Sequence, residues 1–118
     1  MAEVGVAIAD PIVWDRVLYV GTDHIWTCRR VTIDGVPVIP EEAFAHIRNK
    51  PYGALWVEVS VSVDPVEGWI TCEVLKEVFL DPDWRGRKEG VWDIEVILGD
   101  TRLRWVQGTI TVSQEVTL

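Results

Sequence analysis

At 118 residues the chain has the length of one domain, long enough to bury roughly two-thirds of the surface its unfolded form exposes. Hydrophobic residues make up 48% and seven residues are Trp, which supplies apolar area enough to offset the entropy of ordering the backbone and excludes a disordered chain. Nineteen acidic against eleven basic residues give a net charge of -8, a field that repels a nucleic-acid backbone.

The first residues lack the basic and continuously apolar stretches of a signal peptide, and no apolar run approaches the roughly 20 residues needed to span a bilayer. The expected setting is therefore a soluble protein made in the cytoplasm, with neither membrane nor nucleic acid as partner. Two cysteines, Cys28 and Cys72, are too few for a disulfide framework. The expectation is two reduced, buried thiols, with a cross-sheet bridge as the alternative.

In chain order the dominant periodicity is two, with abundant β-branched and aromatic residues. Residues 4–9 and 13–20 read as strands separated by Asp10-Pro11, and 22–32 as a third that stops at Asp34-Gly35, a hairpin turn signal. Pro37 and Pro40 keep the return strand short. Residues 41–48 fit both helical spacing and alternation. Over 55–63, Leu55, Val57, Val59, Val61 and Val63 share one face, with Trp56, Glu58, Ser60 and Ser62 on the other. Residues 69–75 place Ile70, Cys72 and Val74 inward against Trp69, Thr71 and Glu73. A helical turn is expected at 76–80 and a polar loop at 81–90. Residues 91–98 and 103–112 form a hairpin through Gly99-Asp100-Thr101. Short strands with turns about every ten residues indicate a sandwich or barrel.

No chemistry emerges from the motifs. No Ser lies between the glycines of a nucleophile elbow, and no Gly-rich loop with Lys cradles a phosphate. His24 and His46 have no partner at metal-ligand spacing and read as surface histidines hydrogen-bonded to nearby charged residues. The stretch from Asp81 approaches a calcium loop, with Asp83 third and Gly86 sixth, but Arg85 replaces a ligand and Trp92 stands where the bidentate Glu belongs. The expectation is no enzyme, no metal and no cofactor. Trp56 and Trp69, each opposite a core face, and Trp84, in the charged loop, are the candidate partner contacts, while Trp92 and Trp105 are expected in the core.

One resemblance is specific. Gly90-Val91-Trp92-Asp93-Ile94-Glu95-Val96, residues 102–105, and Gly108-Thr109-Ile110-Thr111-Val112 with Glu115-Val116-Thr117 look like the C-terminal hairpin of small phage virion domains similar to the N-terminal domain of baseplate upper proteins. Ile33-Asp34-Gly35-Val36-Pro37-Val38 resembles that family's turn, and Ala45-His46-Ile47-Arg48-Asn49-Lys50-Pro51 its following strand, which turns 41–48 towards strand. Trp92 stands where the family has Tyr, and Ile39-Pro40-Glu41 where it has Leu-Thr-Gly.

The resemblance implies an all-β, immunoglobulin-like antiparallel β-sandwich of about 7–9 short strands. Residues 1–20 would be an N-terminal arm or added strand and 21–118 the sandwich. It further implies a non-enzymatic structural component of a tailed-phage virion, in the tail, baseplate or head-to-tail region, which contacts other virion proteins and copies of itself. A capsid decoration protein is one alternative. Another is a carbohydrate-binding sandwich that stacks sugars on Trp56, Trp69 and Trp84.

Overall fold

The computed structural model describes residues 11–114. Ten strands follow one another: β1 (Ile12–Val13), β2 (Arg16–Tyr19), β3 (His24–Cys28), β4 (Thr32–Ile33), β5 (Val36–Pro37), β6 (Glu42–Arg48), β7 (Leu55–Val63), β8 (Ile70–Val74), β9 (Glu89–Leu98) and β10 (Thr101–Ser113). Two short 3₁₀ turns, Lys76–Leu80 and Pro82–Gly86, link β8 to β9.

The chain is an all-β sandwich whose layers share a strand. Hydrogen bonding runs in the order β1-β10-β9-β6-β7-β8-β3, with β2 also on β10. The first half of β7 pairs with β6 and the second half, from Ser60 to Val63, with β8, so β7 passes from one layer into the other. Trp26 on β3 meets Trp92 on β9 edge to face, with ring centres 5.7 Å apart, which fixes the two layers against each other.

Alternation decides what goes inside. Trp92, Ile94 and Val96 of β9 and Ile70, Cys72 and Val74 of β8 fill the core, each large apolar side chain contributing roughly 1.5–3 kcal/mol. Asp34 and Gly35 have φ of 52° and 80°, the positive pair of a type I′ turn, and join β4 to β5 as the Asp-Gly signal requires.

Several local expectations change. The strand expected over 22–32 is two, β3 and β4, and that over 13–20 breaks at Trp14-Asp15. Residues 12–19 of the expected N-terminal arm run parallel to β10 of their own chain, with Leu18 in the core, so the sandwich is not wholly antiparallel. The strand expected over 4–9 lies outside the described residues.

The break has a cause. Asp15 Oδ1 accepts from the Thr109 amide at 2.8 Å and the Trp14 carbonyl accepts from the Trp92 indole at 2.6 Å. These bonds take Asp15 and the Trp14 carbonyl out of the ladder, while the Trp14 amide still donates to the Gln107 carbonyl, and they press the backbone of Trp14 onto Gly108, where there is no room for a Cβ.

Candidate functional site

The tryptophans expected to meet a partner part ways. Trp84 is 1% exposed, a correction to its reading as a contact in a charged loop. Asp81 Oδ1 accepts from the Asp83 amide at 2.9 Å, starting a tight turn that Pro82 favours. That turn lays Trp84 edge-on against Phe79 (5.0 Å) and Trp56 (5.8 Å). The Arg87 guanidinium covers both indoles, at 4.4 Å and 5.0 Å from their centres.

Trp56 is half-buried and on the core side, again unlike the sequence reading. Ile47 faces Val57 while Arg48 faces Leu55, so Trp56 is the extra residue of a β-bulge. The bulge reverses its direction, and its ring fills the space over Gly90, where a Cβ would sit 2.6 Å from it. Trp105 is the extra residue of a second bulge, between Arg104 and Val106, and is likewise buried.

Trp69 is the most exposed of the three, at 41%. Arg30 lies over its ring at 5.3 Å and pairs with Glu67 at 3.4 Å. Thr27, Ser62 and Thr71 border a shallow depression beside it.

The histidines are not a pair of surface residues. His24 is buried, accepts from the Tyr19 amide at 3.0 Å and stacks on the Tyr19 ring. His46 lies between Glu58 and Asp93, 3.9 Å from each, a separation beyond hydrogen bonding. Cys28 and Cys72 are free and buried. Contact between the two thiols and burial push Cys72 far above the ordinary thiol range.

Two surfaces remain as candidate sites. The first is a groove of about 590 Å³ on the outer face of β1, β10, β9 and β6. Its floor is the cross-strand row His46, Asp93 and Gln107, and its rim carries Val13 and Tyr52. Burial raises the Asp93 carboxyl above its ordinary range, with Arg104 opposing that shift.

The second surface is the side of the sandwich opposite the shared strand. There β2 ends one layer and β3 the other, and neither has a further ladder partner among the described residues. Side chains close the seam instead: the Arg16 guanidinium sits 4.7 Å from the Trp14 ring and 4.8 Å from that of Trp26. Val17 and Tyr19 on β2 and Ile25 on β3 are exposed along these edges.

No family model and no curated protein matches this chain. The functional reading therefore rests on the geometry of these surfaces and on the order of motifs along the chain. Missing from the sequence reading were the edge residues Val17, Tyr19 and Ile25, because alternation names the two faces of a strand and says nothing of which strands lack a neighbour.

Proposed function

We propose that this chain is a non-enzymatic building block of a tailed-phage virion, acting through contacts with neighbouring chains and with copies of itself. The observation that carries the reading is the open side of the sandwich. Strand edges left free in monomeric proteins are usually blunted by Lys, Pro or bulges, because their unpaired N–H and C=O groups recruit other strands. Among the described residues β2 and β3 leave two such edges on one side, with the Tyr19 amide taken by His24, and carry Val17, Tyr19 and Ile25 there. A neighbour adding a strand there would complete the backbone ladder and cover the apolar side chains together.

Placement in a virion is supported by the motif order that resembles the baseplate-type domain, and the immunoglobulin-like description has the same support. The carbohydrate-binding alternative loses two of its three platforms, since Trp56 and Trp84 face the core and only Trp69 stands beside hydroxyl groups. The Arg30 guanidinium already occupies a face of that ring.

Light scattering over a range of concentration tests the self-contact. The expected result is a mass that rises with concentration for the wild type and stays monomeric for the Val17→Lys, Ile25→Lys double variant. A wild-type monomer at every concentration refutes self-association through these edges. Peptide mass spectrometry of purified particles from an infected culture tests the virion assignment, and absence of the chain from them refutes it.

A further inference from the structure

The outer-face groove differs from the open edges in chemistry. Tyr52, at its rim, is 90% exposed and takes φ of 60°, a left-handed conformation that a side chain of this size rarely adopts. Its loop is braced: the Gly53 amide donates to the Lys50 carbonyl at 2.8 Å, the Asn49 amide to Ala54 at 3.1 Å, and Arg48 Nη1 to the Gly53 carbonyl at 3.3 Å. A braced loop therefore holds an aromatic ring in an unfavourable backbone geometry without burying it, an arrangement found where a ring is displayed for binding.

The charged groups around the groove are nearly all partnered. Arg104 Nε lies 3.4 Å from Asp93 Oδ2, Arg102 pairs with Glu95 at 2.7 Å, and Asp15 accepts from the Thr109 amide. Asp93 Oδ1 stands apart as the buried carboxylate oxygen, among the described residues, that has no hydrogen-bond donor. His46 Nδ1 stops 3.9 Å from it. A buried carboxylate oxygen in this state is short of one N–H group.

We propose that the groove receives an arginine side chain from a different, basic partner chain, its guanidinium donating to Asp93 and stacking on Tyr52. The planar cation satisfies both features at once, where the ammonium of lysine offers no plane to stack. Its alkyl stem lies along Val13 and Val91, the apolar part of the lining. A donor there stabilises the ionised form of Asp93 against the burial that disfavours it. The net charge of -8 attracts a basic partner and disfavours a second copy in this groove. His46 turns aside to open the path, since no hydrogen bond holds it to either acid. This inference rests on the reading of the chain as an assembly component and names the chemistry of one neighbour.

The test is a titration of the ¹⁵N-labelled full chain with the peptide acetyl-Gly-Arg-Gly-amide and its lysine counterpart at constant ionic strength, followed by amide chemical shifts. Saturable shifts at Tyr52, Val91, Asp93 and Thr109 are expected with the arginine peptide. The apparent Kd is expected to weaken by about tenfold in Tyr52→Ala, in Asp93→Asn and with the lysine peptide. Equal affinity of the two peptides, unchanged affinity in both variants, or no saturable shift overturns the proposal. Shifts in these residues that appear on concentrating the protein alone also overturn it, since they place a second copy in the groove. Arginine binding by a chain that stays monomeric and is absent from particles sinks the virion reading and leaves the groove standing. Assembly without arginine binding does the reverse.

Discussion

Replacing Gly108 by Ala tests whether the N-terminal strands are held on β10 by the contact at Trp14. A Cβ at Gly108 would collide with the Trp14 carbonyl oxygen and lie 2.6 Å from its carbonyl carbon, both backbone atoms that no rotamer change can move aside. The segment from Trp14 to Asp15 must lift. Three hydrogen bonds are then at risk: Trp14 amide to Gln107 carbonyl, Trp92 indole to Trp14 carbonyl, and Thr109 amide to Asp15. At about 1 kcal/mol net each, and more for a buried indole N–H left without an acceptor, the loss is about 3–4 kcal/mol. The smaller unfolded-state entropy of Ala returns about 0.4–1 kcal/mol, leaving roughly 3 kcal/mol. In urea unfolding followed by tryptophan fluorescence, that lowers the midpoint by about 2 M at a slope of about 1.5 kcal/mol per M. Gly86→Ala, with nothing within 4 Å of the new Cβ, is the matched control and should change stability by under about 0.5 kcal/mol. A Gly108→Ala protein as stable as that control would show that the backbone of Trp14 does not press on β10.

Three further outcomes follow from the core and the groove floor. Trp84→Ala should cost about 3–5 kcal/mol or prevent folding, while Trp69→Ala, which loses chiefly its contact with Arg30, should cost under about 1 kcal/mol; similar melting points for the two would contradict the burial assigned to Trp84. Both thiols should react with a disulfide reagent only after denaturant is added, because both are buried and the Cys72 thiol is pushed far above its ordinary range; rapid reaction of two thiols in buffer would refute this. The carboxyl of Asp93 is raised in the folded state above its ordinary 3.8, so the folded protein holds that proton more tightly than the unfolded one. Its contribution to stability therefore grows as pH falls from neutral through the raised value towards 3.8, and Asp93→Asn should melt higher than the wild type at pH 7 with the gap closing as the carboxyl protonates; a lower melting point at neutral pH would mean that the pairing with Arg104 outweighs burial.

How far the sequence could be read depended on strict alternation. Where strands alternate without interruption, as in β8 and β9, inward and outward residues follow from periodicity alone. Each bulge breaks that arithmetic by one residue. The apolar run Leu55-Trp56-Val57 and the doublet Trp105-Val106 are the marks such bulges leave in sequence, and read without them Trp56 falls on the wrong face. Trp84 escaped for another reason: its neighbours are charged and Gly-rich, and only the turn capped by Asp81 carries it back over Phe79. The groove joins residues from four strands and the Asn49–Ala54 turn, so the short spacings within each strand do not reveal that they converge. The parallel seating of β1 and β2 pairs residues more than 90 positions apart, for which no short-range pattern exists.

That parallel seating also sets how the sandwich bears tension. Val106 lies beside Ile12 and Ser113 beside Tyr19, so force applied along the chain at residues 11 and 114 drags neighbouring strands past each other lengthwise. Under such shear the ladder bonds between β10 and the two short strands carry the load simultaneously, whereas a hairpin pulled from its open end gives way one bond at a time. A component strung between neighbours in a contractile or flexing assembly would meet load along this direction with its most resistant geometry. The same Trp14–Gly108 contact that interrupts the ladder then acts as a catch against sliding, since the carbonyl seated over that glycine cannot pass the side chains of Val106 and Ile110, which project to the same face on either side of it.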